Sequence, residues 1–260
     1  MKSKTTALVT GASSGIGKEL ARVHAEQGGD LILVARREDK LEDIKREFEE
    51  SYGVKVSILP KDLSVVGAAQ ELYDAVKAKG LRVEYLINNA GFGLLGKFYE
   101  LSLQRQREMI NLNMIALTEL TYLFLPDMIQ QNSGKILNTS STASYMPGPL
   151  QAVYYATKAY VSFFSNALSE ELYDTDITVT NLMPGATQSE FGAVSGMDKT
   201  SLFTKAVSAK SVAQDGYNAM MIGDLDIVSG LTLGQKMIIA MIPFTPKKIL
   251  LKTIRKMQEV

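Results

Sequence analysis

Along the chain, short runs of aliphatic and β-branched residues alternate with longer stretches whose apolar positions recur every three or four residues. The short runs cover 6–9, 30–35, 54–59, 85–88, 135–138, 178–182 and 226–228, and predict strands. The longer stretches predict helices near 15–28, 38–51, 65–79, 102–131 and 154–174. Strand and helix in alternation are the mark of βαβ units on a parallel sheet. Leu31-Ile32-Leu33-Val34 lacks any polar alternation, as a strand does when helices cover both its faces. The pattern therefore predicts an α/β fold: a doubly wound sheet of about seven parallel strands flanked by helices on both faces.

The segment near 102–131 is apolar around much of its circumference, through Ile110, Leu112, Met114, Ile115, Leu117, Leu120, Leu123 and Phe124. One face must meet the sheet, and the rest needs a second partner, either a neighbouring helix or another subunit of a homodimer or homotetramer. Residues 189–208 scatter Ser, Gly and Thr among apolar positions and predict a mobile lid. Residues 232–260 form a helical extension, running from Met237-Ile238-Ile239-Ala240-Met241-Ile242 to Lys247, Lys248, Lys252, Arg255 and Lys256. Such a segment packs on its own core or on a sister subunit, or touches a membrane surface or an acyl substrate. With no repeat or linker, 1–260 reads as one domain.

Lys plus Arg and Asp plus Glu each total 28, so no global field recruits nucleic acid. There is no cysteine, and His24 is the one histidine, which leaves neither a thiolate nucleophile nor a metal-ligand set. Met1 to Lys4 lead straight into the first strand with no secretory pattern, and the longest apolar run near the C-terminus, 237–244, is too short to span a bilayer. The expectation is a soluble cytoplasmic protein without a metal.

Thr10-Gly11-Ala12-Ser13-Ser14-Gly15-Ile16-Gly17 falls where the first strand gives way to the first helix. Glycines there admit a sharp turn and a close approach of a pyrophosphate, and the helix start offers free N–H groups. The spacing is G-x-x-x-G-x-G rather than the commoner G-x-G-x-x-G. The second strand ends in Val34-Ala35-Arg36-Arg37, with no acid to bind ribose hydroxyls. Two guanidinium forks suit a 2′-phosphate, which favours NADP(H) over NAD(H). The plainer alternative pairs Arg36 and Arg37 with Glu38 and Asp39 at a helix start.

Tyr154 and Lys158 lie four apart, on one face of a predicted helix. A tyrosine of ordinary pKa, about 10, exchanges protons poorly near neutrality. A nearby ammonium favours its phenolate, an oxidised nicotinamide would add a second positive charge, and that shift would make Tyr154 a workable acid in reduction and base in oxidation. Tyr73 and Lys77 repeat the spacing in a charged amphipathic segment with no serine-bearing strand end before it. Tyr154 instead follows Ser141 by thirteen residues, beyond Leu137-Asn138-Thr139-Ser140-Ser141.

From the first strand to about Phe191 the chain resembles the short-chain dehydrogenase/reductase family in its single-domain, Rossmann-type branch. The motifs that carry the likeness are the T-G-x-x-x-G-x-G loop, Asp62, Asn88-Asn89-Ala90-Gly91, Asn113, Ser141, the Tyr154/Lys158 pair and Pro184-Gly185. The resemblance implies that Ser141 holds and polarises the substrate oxygen, Tyr154 transfers the proton, and Lys158 holds the nicotinamide ribose and lowers the tyrosine pKa. It implies that Asn113 positions a water linking Lys158 to solvent. Gly11, Ser13, Ser14, Gly15, Ile16 and Gly17 would cradle the cofactor phosphates. Asp62 and Leu63 would meet the adenine, Asn89, Ala90 and Gly91 would line the channel, and Pro184, Gly185 and Thr187 would close over the nicotinamide. The residues themselves also allow structural duties: Asn88 to Gly91 as a turn that satisfies backbone groups, Asn111 as a helix residue bonding backbone, and Ser140 and Ser141 as strand-end caps.

The reading is an NADP(H)-dependent oxidoreductase acting on a small carbonyl or alcohol. Phe92, Leu94, Leu95, Tyr145, Met146, Leu150, Phe191 and Phe203 would flank an apolar substrate. A dinucleotide-responsive sensor, or an epimerase or dehydratase using the same triad, are the alternatives. An intact proton relay argues against the sensor, and the absence of a larger substrate domain against the other two.

Overall fold

The computed structural model of the chain describes residues 5–200, 203 and 206–259. Seven parallel strands form one sheet: β1 (Thr6–Thr10), β2 (Asp30–Ala35), β3 (Val56–Pro60), β4 (Tyr85–Asn88), β5 (Gly134–Thr139), β6 (Ile177–Pro184) and β9 (Asp226–Ser229). Their order is β3-β2-β1-β4-β5-β6-β9. A short pair, β7 (Thr187–Gln188) and β8 (Val207–Ser208), lies apart.

Alternate residues of each strand feed two core layers. Ala7, Val9, Leu31, Leu33, Ile87, Leu137 and Leu182 face α1 (Gly15–Glu26), α2 (Glu38–Tyr52) and α8 (Ala209–Ile222). Leu8, Ile32, Val34, Leu86, Ile136 and Val179 face α3 (Ala68–Ala78), α5 (Leu117–Gln131) and α6 (Ala152–Glu171). Both strand faces are dry, which is why the strands carry no polar alternation. His24 belongs to the first layer as a packing residue: Nδ1 meets the Tyr217 hydroxyl at 2.9 Å, and burial lowers its pKa.

The expected helix over 102–131 is not uniform. α4 (Leu103–Ile110) passes through one π-helical stretch, Asn111–Ala116, into α5. The stretch Leu103–Gln131 is long and apolar enough to cross a membrane by composition alone. Here Leu120, Phe124 and Met128 bury it on the sheet. The π turn carries Asn113 inward, where it is 2% exposed.

Aliphatic strands give way to a polar row at one level of the sheet. Asn88 pairs in register with Asn138, Asn138 with Asn181, and Asn181 with Asp226. Asn88 Nδ2 donates to Asn138 Oδ1 (3.0 Å) and Asn181 Nδ2 to Asp226 Oδ1 (2.7 Å), while Ser165 and Ser162 of α6 take part between them.

Residues 189–208, expected as a lid, carry α7 (Glu190–Ser195), a 3₁₀ turn Met197–Lys199, and β8. The Ser189 hydroxyl caps α7 by accepting from Phe191 N. Positions 201, 202, 204 and 205 of that expected lid lie outside the described residues. The C-terminal extension folds as α9 (Leu233–Met241) and α10 (Lys247–Gln258).

Candidate active site

The strand order reverses between β1 and β4, so the loops leaving these strands diverge and open a crevice at their carboxyl ends. A cavity of about 580 Å³ occupies it. Gly11, at φ +67°, turns the chain away from β1. A Cβ at Gly17 would collide with the Gly11 carbonyl and Asn89 Nδ2. Gly17 therefore serves helix-to-loop packing and does not line the cavity, in contrast to Gly11, Ser13, Ser14, Gly15 and Ile16, which do. The cradle fits a dinucleotide: its start is open backbone, and Ser14 caps α1 without a side-chain bond to the helix N–H groups.

Thr10 ties this loop to the next. Its hydroxyl accepts from Asn89 N and Ala90 N, both at 3.0 Å, and Asn89 Nδ2 donates to the Thr10 carbonyl at 3.1 Å. The structural duty open to Asn88-Asn89-Ala90-Gly91 is thus observed, while Asn89, Ala90 and Gly91 also line the cavity. Thr10 had a place in the sequence motif but no role; its buried hydroxyl, which pairs these two backbone N–H groups, supplies one.

Arg36 and Arg37 stand at one end of the cavity with Asp62 and Leu63. Neither forms an ion pair with Glu38 or Asp39 among the described residues. Arg36 approaches Asp62 Oδ2 loosely at 3.9 Å and is two-thirds exposed at 66%. Arg37 donates to Glu190 at 2.7 Å and to Ser13 Oγ at 3.1 Å. Glu190, 153 residues away, holds a pKa below the usual carboxylate range because Arg37 bonds to it. Sequence spacing gave no sign of this partner.

At the other end stand Ser141, Tyr154 and Lys158, with Pro184, Gly185 and Thr187 alongside. Ser141 caps a 3₁₀ turn (Thr142–Tyr145), its Oγ accepting from Ala143 N at 3.1 Å. The same hydroxyl donates to the Pro184 carbonyl at 3.5 Å, a long bond that a closer acceptor in the cavity would displace. Ser140 points elsewhere: its Oγ donates to the Lys158 carbonyl at 2.7 Å and fastens α6 to the end of β5.

Lys158 Nζ sits 5.9 Å from the Tyr154 ring centre and donates to the Thr139 carbonyl at 2.7 Å. Burial pulls its pKa down to about 8. Beside Lys158 alone, the Tyr154 pKa is not lowered as expected. Burial pushes the phenol well above its ordinary value, and a hydrogen bond with Ser141 only partly offsets this. A single ammonium that is itself desolvated does not outweigh the loss of water around a phenolate.

Asn113 lies behind the cavity wall. Its Nδ2 donates to the Phe92 carbonyl (3.0 Å) and Thr157 Oγ1 (3.1 Å), and its Oδ1 accepts from Phe92 N (3.1 Å). Gly91 separates it from Lys158, and a Cβ there would press on Asn113 Oδ1 at 3.0 Å and touch Lys158 Nζ at 3.5 Å. Asn111, as expected for a helix residue bonding backbone, donates to the Ser64 carbonyl.

Of the apolar flank, Phe92, Met146, Phe191 and Phe203 line the cavity, whereas Leu94, Leu95 and Leu150 do not. Tyr145 faces a smaller neighbouring cavity. The rest of the wall was not anticipated. Ile239, Ile242, Leu250, Ile254 and Met257 come from the C-terminal helices, and Arg105 stacks over Phe92 at 4.6 Å. Gln258, wholly buried, accepts from Gln151 Nε2 (3.0 Å) and donates to the Tyr155 hydroxyl (2.7 Å).

Residues 5–199 match the family model described as short chain dehydrogenase. A very-long-chain 3-oxoacyl-CoA reductase of Rattus norvegicus is 35% identical over 184 residues, which is 68% of this chain and 58% of that protein. The chain thus matches little more than half the length of that relative. Among solved structures, a short-chain dehydrogenase of Sphingobium yanoikuyae in complex with NADPH superposes with a TM-score of 0.82 at 30% identity, covering 90% of both chains. One from Burkholderia phymatum in complex with NAD gives 0.81 at 23% identity, covering 95% of this chain and 94% of the other.

Proposed function

The chain belongs to the short-chain dehydrogenase family, and we propose that within it this protein is an NADP(H)-dependent oxidoreductase interconverting a carbonyl and an alcohol on an apolar substrate. One observation carries the reading. A single cavity runs from two arginines, past a glycine cradle, to a buried serine, tyrosine and lysine, and continues into an aliphatic chamber.

The bound dinucleotide supplies hydride; the chain supplies aim and the proton. Gly11, Ser13, Ser14, Gly15 and Ile16 would hold the pyrophosphate, and Lys158 with Asn89, Ala90 and Gly91 would hold the far ribose. Ser141, its own acceptor lone pair engaged by Ala143 N, donates to the substrate oxygen. Tyr154 carries its proton at neutral pH as an ordinary tyrosine does, burial favouring that form further, and it is placed to deliver that proton to the same oxygen. Removing a proton in the reverse direction needs further positive charge beside the phenol. Asn113 fixes the backbone at Phe92 and the start of α6 through Thr157, holding the floor beneath Lys158.

The preference for the 2′-phosphate rests on Arg36, loosely paired, and on Arg37, whose fork a phosphate would take from Glu190. Loss of nicotinamide absorbance with a panel of ketones and aldehydes, run in parallel with NADPH and NADH, tests this. Faster turnover with NADPH is expected, falling toward the NADH rate in Arg36→Ala plus Arg37→Ala. An NADH rate equal to or above that with NADPH overturns the assignment. Self-association belongs to the same proposal, supported by Ile115, Tyr122 and Ile129, exposed along the outer face of the long helix.

A further inference from the structure

α9 is rich in apolar residues, yet none of them is buried. Leu233, Met237, Ile238 and Met241 stand exposed along it, followed by Phe244 and, on α10, Ile249 and Leu251. Exposed apolar residues this closely grouped mark a contact surface. The charge around them is one-sided. From Leu231 to Gln258 the chain carries Lys236, Lys247, Lys248, Lys252, Arg255 and Lys256, and neither Asp nor Glu. Arg255 pairs with Glu259, while none of the five lysines forms an ion pair among the described residues. The whole protein has equal numbers of each sign, so this excess is local.

The helices are 9 and 12 residues long, against the roughly 20 that span a bilayer. Apolar and cationic groups on short helices suit the boundary between headgroups and acyl chains. The opposite side of the same hairpin supplies Ile239, Ile242, Leu250, Ile254 and Met257 to the wall of the cavity. Gln258 fastens the end of the hairpin to Gln151 and Tyr155, next to Tyr154.

We infer that the C-terminal hairpin docks on an anionic lipid surface, Met237, Met241 and Phe244 entering the acyl boundary and Lys247, Lys248 and Lys252 meeting lipid phosphates. One thin element then has lipid on its outer side and the reaction chamber on its inner side. An apolar substrate dissolved in the bilayer reaches Tyr154 without crossing water. This last step rests on the oxidoreductase reading; the docking itself does not.

Co-sedimentation of the full chain with vesicles of phosphatidylcholine alone, and of phosphatidylcholine mixed with phosphatidylglycerol, tests the inference. Binding to the mixed vesicles is expected, weakening as salt is raised. Lys247→Glu plus Lys248→Glu should lower partitioning about tenfold or more. Met237→Asp plus Phe244→Asp should abolish it, and both variants should retain the thermal midpoint and the turnover of a water-soluble ketone. Equal sedimentation with neutral and anionic vesicles, or none with either, overturns it. So does a dimer, seen by sedimentation equilibrium, that the same substitutions dissolve, since the face then covers a second copy of the chain. Lost docking with Tyr154-dependent turnover intact fells this inference alone; docking without such turnover fells the oxidoreductase reading alone.

Discussion

Two tyrosine–lysine pairs of identical spacing lie on two helices of this protein. On α3, Lys77 Nζ stands 5.7 Å from the Tyr73 ring centre; on α6, Lys158 stands 5.9 Å from Tyr154. The helical geometry is the same, and the chemistry is not. Lys77 is on the surface, bonded to Asp127 at 3.0 Å, and that carboxylate raises its pKa. Lys158 is buried against a backbone carbonyl, and desolvation lowers its pKa to about 8. Tyr73 turns its ring edge toward Phe124, while Tyr154 meets Ser141 at a cavity. Four-residue spacing brings two groups together; burial and third partners decide whether they can move a proton.

The contrast is broken most directly by paired deletions. Tyr154→Phe should cost turnover about 10²–10⁴-fold, with dinucleotide affinity kept, whereas Tyr73→Phe should leave turnover within about twofold. Comparable losses in the two variants, in an absorbance assay beside a binding titration, would erase the distinction. Lys158→Met should follow, at about 10²-fold in turnover together with weakened dinucleotide binding. Lys77→Met should change neither, because an exposed ion pair is worth under about 1 kcal/mol even to stability.

The pH dependence of stability sharpens the comparison. Lys158 has a folded pKa below its unfolded one, so between about pH 8 and 10.5 the unfolded chain holds more protons. Stability from this site therefore rises across that window, by at most about 3 kcal/mol. Lys77 is shifted upward, and its contribution is present below the unfolded pKa and is lost at higher pH. Denaturation midpoints of the cofactor-free chain should climb between pH 8 and 10, and Lys158→Met should flatten the climb. A climb unchanged in that variant would assign it to another group. The smallest effect is expected at Arg37. Glu190→Gln frees its guanidinium and should tighten NADPH binding a few-fold, about 0.5–1 kcal/mol, with NADH unchanged. Equal change for both dinucleotides would remove Arg37 from phosphate recognition.

Much of the fold was legible because the strands are dry on both faces. Runs such as Leu31-Ile32-Leu33-Val34 admit few other solutions. The cradle, Ser141, Tyr154 and Lys158 were legible from motif order along the chain. What escaped depends on groups that sequence does not align. The π turn that carries Asn113 inward leaves no compositional trace. Glu190 reaches Arg37 across 153 residues. The inward face of α10 falls at helical spacing, Leu250, Ile254 and Gln258, so its packing on the core was an open expectation, but nothing in the spacing says that the core it meets is the cavity wall. The Tyr154 pKa escaped for another reason. Spacing shows which charge is near but not how much water has been removed.

Asn88, Asn138, Asn181 and Asp226 act as an alignment mark for the sheet. Sliding any of these strands by one residue would turn its polar side chain out of the row and into a layer of leucine, isoleucine and valine, so only one registration survives. Asn89, Ser141 and Gly185 follow within one to four residues of the mark on three adjacent strands. The chemical groups at the crevice arrive level because the sheet below them cannot be assembled out of step.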